Sequence, residues 1–370
     1  MTNTIPAMPG SAEVDASIKL ITDNAPRIFC WNYDRSRDQL VTLYNKAMAS
    51  QWNSVTELDW STEVDPEEVV RTSPQSSVIV KVARAAAEVP GSPLASWGEK
   101  EYLQLGIESM KAQLSQFMHG EQGAMMVAAK IVETVPWIDA RYYAATQTMD
   151  EARHTEVFAK YLHTKLGEAY PMSPFLEEQI DALIQDSRWD IAYLGMQIVI
   201  ESLALAAFGS MLRATEEPLL KKLLRYVMSD EARHVAFGVL SLAELYRELS
   251  DAEIKERQDF LLENTLRSRA RSTTPEIWER MGVSFDAVLP SILEAVQKLD
   301  TSQFAGFESA FFAKLVPNVR KLGLLDRNNG HLRKGWETAG LLQYEFADDT
   351  GSDYETYDEV AKDRAAAAAN

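Results

Sequence analysis

One cysteine, Cys30, stands in 370 residues. A lone thiol excludes an internal disulfide framework and any metal site made of several thiolates, and it leads us to expect a reducing, cytoplasmic setting. No run of 18 or more apolar residues occurs, so no membrane span is expected. The opening MTNTIPAMPGSAEVDASIKL has no basic stretch followed by an apolar one, so no secretory leader is expected either. Positive charge is scarce: 37 Lys and Arg face 55 Asp and Glu, a formal charge of −18. Repulsion from phosphates argues against a nucleic-acid partner. No stretch alternates apolar and polar residues as a half-buried strand would.

Helical periodicity fills the space left by these absences. The first 96 residues mix short amphipathic stretches with breakers; 38–60 and 78–87 read as helices, and Pro66, Pro74, Pro90 and Pro93 punctuate them. Four long segments follow at about 97–135, 137–166, 175–213 and 218–249, separated by short joints carrying Pro136, Gly167 and Pro218. Short joints between long helices imply antiparallel neighbours, hence an all-α four-helix bundle over 97–249. Further helices are expected at 251–271, 285–299 and 304–322, packing on the bundle within 250–325. Residues 326–370 read as an acidic tail with little order.

Within the bundle the pentapeptide Asp-Glu-Ala-Arg-His occurs twice, at Asp150–His154 and Asp230–His234. Another glutamate lies 30 residues before the glutamate of each copy: Glu121 before Glu151, and Glu201 before Glu231. Residues three apart on a helix share a face, so Glu151 aligns with His154 and Glu231 with His234. Glu121 sits in an apolar stripe with Leu114, Phe117, Met118, Met125 and Val132. Glu201 sits in the apolar run Ile198–Phe208, where a charge without a partner has no reason to be. Four carboxylates and two imidazoles would thus converge on the bundle axis. Burying them bare is very unfavourable, and two divalent ions would remove most of that cost. Hard oxygen donors with two nitrogens suit Fe or Mn, so two Fe ions are expected, with a Mn/Fe pair also compatible. Asp150 and Asp230 are placed to accept a hydrogen bond from a ligand imidazole. Arg153 and Arg233 either neutralise those aspartates or belong to an ordinary salt-bridge network at the helix surface.

At these residues the chain resembles the ferritin-like di-iron carboxylate superfamily, in which two helices give one Glu each and two give Glu-x-x-His. Its doubled Asp-Glu-x-Arg-His, with Gly120-Glu121-x-x-Ala124, is most similar to the hydroxylase subunits of bacterial multicomponent monooxygenases. The resemblance covers about 97–249. It implies use of O2 to oxidise an organic substrate, with Glu121, Glu151, His154, Glu201, Glu231 and His234 as metal ligands. Three positions depart from familiar versions. Leu205 stands where those monooxygenases carry a threonine, Phe158 where the ribonucleotide reductase small subunit carries its radical tyrosine, and Val227 where aryl-amine N-oxygenases carry a third histidine. The absence of Cys-x-x-Cys excludes a rubredoxin-type iron domain.

The leading expectation is therefore an O2-activating di-iron oxidase or oxygenase for a small or medium organic molecule, by hydroxylation, desaturation or N-oxidation. A ferritin- or rubrerythrin-like protein that oxidises iron or reduces peroxide, and a helical scaffold merely braced by metal, are the alternatives. No flavin, nicotinamide or iron–sulfur motif is present, so electrons would come from a separate reductase or ferredoxin, or from the substrate. Lys221, Lys222 and Arg225 form a basic patch that would dock an acidic partner or simply face solvent. Phe117, Met118, Phe158, Leu205 and Phe208, beside the small residues Ala204, Ala206, Ala207, Gly209 and Ser210, either line an apolar cavity or pack helices closely. A homodimer is compatible with the sequence.

Overall fold

A computed structural model describes residues 21, 25–73, 78–269, 274–299, 305–348 and 358–369. Among these there are fourteen α-helices and no strand. The helices are α1 (Asp38–Ala49), α2 (Pro66–Thr72), α3 (Val78–Ala87), α4 (Glu99–Thr134), α5 (Ile138–Tyr161), α6 (Pro174–Gln185), α7 (Trp189–Ala214) and α8 (Pro218–Glu248). They continue with α9 (Asp251–Arg269), α10 (Pro275–Arg280), α11 (Phe285–Lys298), α12 (Ala305–Lys321), α13 (Arg327–Thr338) and α14 (Glu359–Ala369).

Helices α4, α5, α7 and α8 form the bundle, with α4 packed along α5 and α7 along α8. Local chemistry sets their ends. Pro218 opens α8, where its missing N–H costs nothing, and the Glu217 carboxylate accepts from the free N–H groups of Leu219 and Leu220. Helix α7 is long and apolar enough to cross a membrane by length and composition, but 83% of its most apolar window is buried inside the protein. A helix that is apolar all round belongs in a core. Midway along α7, Leu194–Ile200 winds as a π-helix immediately before Glu201. Such widened turns often mark functional sites. Gly238 of α8 crosses this turn at close range: a Cβ there would lie 2.5 Å from the Cβ of Gln197.

Several expectations need correction. The segment expected as one helix over 175–213 is two, because α6 stops at Gln185. There the Asp186 carboxylate takes hydrogen bonds from the Arg188 backbone and guanidinium, and the buried Lys130 ammonium donates to the carbonyls of Ile184 and Asp186. These bonds offer the backbone a turn in place of another helical residue. The helix expected over 38–60 ends at Ala49, since the Asn53 side chain takes the N–H groups of Val55 and Thr56. Helices α2 and α10 were not expected.

The described parts of the acidic tail, 326–348 and 358–369, are also more structured than composition suggested; residues 349–357 and 370 lie outside the described residues. Within the tail, α13 carries a left-handed turn at Asn328, Asn329 and Gly330 and then buries Leu332 and Trp336, and α14 is helical. Val360 of α14 is fully buried. Glu359 and Asp363 pair with Arg225, and Arg364 binds Glu57 and the carbonyl of Gln51. Two of the segment's carboxylates thus meet a cation elsewhere in the chain. The flanking helices share the core of the bundle. Leu40 of α1, Val127 of α4, Phe312 of α12 and Trp336 of α13 belong to one apolar cluster.

Candidate metal centre

Glu121 comes from α4, Glu151 and His154 from α5, Glu201 from α7, and Glu231 and His234 from α8. All six are buried at the bundle axis. One oxygen or nitrogen from each of Glu121, Glu151, His154 and Glu231 lies within 4.8 Å of the other three, and the same holds for Glu151, Glu201, Glu231 and His234. Glu151 and Glu231 belong to both groups. They stand between the two histidines, each offering one oxygen to either side. His154 Nδ1 is 3.3 Å from Glu121 Oε2, 3.4 Å from Glu151 Oε2 and 3.0 Å from Glu231 Oε1. His234 Nδ1 is 3.1 Å from Glu151 Oε1, 3.6 Å from Glu201 Oε1 and 2.9 Å from Glu231 Oε2.

The other ring nitrogens face the aspartates, and the pairing crosses between the two pentapeptides. His154 Nε2 lies 2.9 Å from Asp230, and His234 Nε2 lies 3.4 Å from Asp150. An N–H held this way leaves Nδ1 as the nitrogen that can take a metal. Arg153 donates to both Asp150 and Asp230, and Arg233 donates to Asp230. Both arginines are buried, which excludes the surface-network alternative.

Sequence reasoning missed four neighbours. Gln51 and Trp52, just beyond α1, donate to Asp150 and Asp230 at 2.8 Å each. Trp52 also lies under the Arg153 guanidinium, 4.6 Å from ring centroid to carbon. Nothing local announces these two, because their partners stand 99 and 178 residues away. Gln147 and Gln197 are fully buried, and Gln147 reaches Glu151 and Glu201 at 3.0 and 3.1 Å. A signal did exist for this pair: each glutamine lies four residues before a singled-out glutamate, on the same helix face.

The apolar side is close-packed. Phe117, Phe158 and Phe208 meet with ring centroids 4.7 to 5.7 Å apart, and Leu205 is buried in the same cluster with Met118 packed against it. Of the basic patch, Arg225 is taken up by Glu359 and Asp363, Lys221 pairs with Glu216, and Lys222 lies over the Tyr226 ring. His119 points to the Tyr170 carbonyl instead of toward the glutamates.

Charge decides what the centre can hold. Six buried carboxylates (Glu121, Asp150, Glu151, Glu201, Asp230, Glu231) face two buried guanidiniums (Arg153, Arg233). With neutral imidazoles four negative charges remain, which two divalent cations match. Glu151 Oε2 and Glu231 Oε1 are buried without a conventional hydrogen-bond partner. Carboxylate oxygens in a closed core that face only an imidazole nitrogen suit a cation between them. The residues therefore fit a dinuclear metal centre.

Without metal, Glu121, Glu201 and the two histidines hold protons. Burial, and then the charge of Glu231, drives the carboxyls of Glu121 and Glu201 well above their ordinary value of 4.5. Burial opposes charging of His154 and His234, but the surrounding carboxylates outweigh it and raise both well above 6.5. Groups that bind protons more tightly folded than unfolded stabilise the chain at low pH and lose that contribution as pH rises. The metal-free protein should therefore lose thermal stability as pH climbs, from about 4.5 for the two carboxyls and from about 6.5 for the histidines, because each group releases its proton in the unfolded chain before it does so in the folded one. Metal replaces those protons, so the loaded protein should lose much less over the same range. Melting curves at pH 6 to 9, with and without Mn(II), check this; identical pH slopes would contradict it.

No protein-family model matches the chain, and no curated protein matches it. Among solved structures it is similar to a mutant R2-like ligand-binding oxidase with an anaerobically reconstituted Mn/Fe cofactor, at 14% identity and TM-score 0.43, covering 85% of this chain and 98% of that one. A second such mutant gives 14% identity, the same coverages and TM-score 0.44. An aerobically reconstituted Mn/Fe mutant gives 14% identity over 85% of this chain and 94% of that one, at TM-score 0.39. The four bundle helices and their six inward side chains define an all-α, ferritin-like di-metal carboxylate fold.

Proposed function

We propose that the protein is a di-iron oxidase or oxygenase that uses O2 to oxidise a small or medium organic molecule, with a Mn/Fe pair as the alternative metal content. One observation carries the reading: two groups of buried oxygen and nitrogen donors share Glu151 and Glu231, in a core whose excess charge equals that of two divalent ions. Bound iron or manganese supplies the one-electron redox couples that let O2 react with an organic molecule at ordinary temperature. The protein's share is positioning and exclusion of water. Glu121 and His154 would hold one ion, Glu201 and His234 the other, and Glu151 and Glu231 both. Asp230 and Asp150 keep the far nitrogens of the imidazoles protonated and the rings aimed. The close-packed aromatic cluster of Phe117, Phe158 and Phe208 keeps water from one flank of the centre.

The monooxygenase-like spelling of the pentapeptides supports a separate electron donor, since the chain carries no flavin or iron–sulfur motif of its own. We take the setting to be cytoplasmic on the strength of the single thiol. An oxidase is favoured over an iron-storage protein because Gln51 and Trp52, from outside the bundle, are built into the centre.

The test is O2 consumption by protein loaded anaerobically with Fe(II). Uptake in proportion to bound iron pairs, quickened by particular organic compounds that emerge oxidised, is expected. Uptake no faster than that of free Fe(II), with no compound changed, would refute the oxidase reading and leave a purely structural metal centre.

A further inference from the structure

We infer that the paired side-chain amides of Gln147 and Gln197 are positioning residues for one half of the centre, so that the two ion positions are unequal and the one beside Glu201 and His234 is the tighter. The inference rests on the metal-centre reading above.

The two amides meet head to head. Gln147 Nε2 lies 3.0 Å from Gln197 Oε1, and Gln197 Nε2 donates back to Gln147 Oε1. Gln147 Nε2 also reaches Glu151 Oε1 and Glu201 Oε1. The orientation follows from charge: turned over, Gln147 would press a carbonyl oxygen against two carboxylates. Both oxygens it touches lie on the His234 side. Glu151 Oε1 is the oxygen facing His234, whereas Glu151 Oε2 faces His154.

The half beside Glu121 has no equivalent. Four residues before Glu121 stands Phe117, and four before Glu231 stands Val227. Phe117 packs on Phe158 and Phe208. The one hydrogen-bond contact described for Glu121 is with His154 Nδ1. Glu201 thus shares the two N–H groups of a locked amide with Glu151 and Gln197, and the contact described for Glu121 is with a ligand imidazole.

The backbone is shaped to hold this pair. Gln197 sits within the π turn Leu194–Ile200, and Gly238 leaves the space that its Cβ occupies. A hydrogen bond to an ionised oxygen is among the stronger kinds, and partners that orient metal ligands typically change metal affinity by about 10- to 100-fold. A pre-aimed Glu201 should raise affinity on its own side by an amount in that range.

The experiment is anaerobic titration of the full chain with Mn(II), following free Mn(II) by electron paramagnetic resonance. The wild type should bind two ions in two phases. Gln147→Met keeps the side-chain length and removes the donors, so the tight phase should weaken about 10- to 100-fold while the weak phase holds. Gln197→Met, which leaves the Gln147 contacts but unlocks them, should shift the tight phase in the same direction by less. Circular dichroism establishes that each variant is folded, and if Gln147→Met does not fold, Gln197→Met decides alone. Equal weakening of both phases, or no weakening in either folded variant, overturns the inference. Failure of the wild type to bind two ions overturns the metal-centre reading itself.

Discussion

Replacing Glu151 or Glu231 with alanine is expected to abolish binding of both ions at once, whereas Glu121→Ala or Glu201→Ala should cost one. The difference follows from membership. Glu151 and Glu231 each lie in both donor groups, while Glu121 and Glu201 each lie in one. Removing a shared carboxylate takes a donor from each ion. Removing an outer carboxylate leaves a complete group of four on the opposite side. Equilibrium dialysis against Fe(II) or Mn(II), followed by metal analysis, separates the two cases. A Glu151→Ala protein that keeps one tightly bound ion would show that the glutamates do not bridge.

Asp230→Ala should destabilise the metal-free protein by roughly 3–5 kcal/mol, the range for leaving a buried charge without its partner. Asp230 carries four contacts in the core: His154, Arg153, Arg233 and the Trp52 indole. It is the only carboxylate to which a hydrogen bond from Arg233 is described, and two other guanidinium nitrogens of Arg233 have no hydrogen-bond partner. Asp150→Ala should cost less, because Arg153 would keep Asp230 and Gln51 would keep its bond to the Ala47 carbonyl. Urea unfolding of both variants without metal gives the comparison. Equal losses, or a loss under about 1 kcal/mol for Asp230→Ala, would mean that water or structural relaxation compensates Arg233.

The bundle and its six inward side chains were legible in the sequence because they obey local rules. A charge at helical spacing in an apolar stripe must be paired, and Glu121 and Glu201 are such charges. Duplication repeated the signal, so Glu151, His154, Glu231 and His234 came with their register already given. The aspartates were legible for the same reason, although the crossing of Asp230 to His154 and Asp150 to His234 was not, since it depends on how α5 lies against α8. Gln51 and Trp52 were invisible because a contact between residues 178 apart in the chain leaves no periodic trace. Gln147 and Gln197 were visible in principle, as amides one turn before a key glutamate. They went unread because an uncharged polar residue in a core helix raises no alarm. The tail was misread for a different reason. Acidic composition measures the cost of burying a segment by itself, and α14 is held by Arg225 and a buried Val360 that composition does not reveal.

The central claim is that two ions bind between α4, α5, α7 and α8, and anomalous diffraction from crystals grown with Mn(II) or Fe(II) tests it directly. The expected map has two peaks per chain. One should lie among Glu121, Glu151, His154 and Glu231, and the other among Glu151, Glu201, Glu231 and His234, each touching Nδ1 of its histidine. A map with no peak in the bundle, or with a single peak touching neither Glu151 nor Glu231, would contradict it.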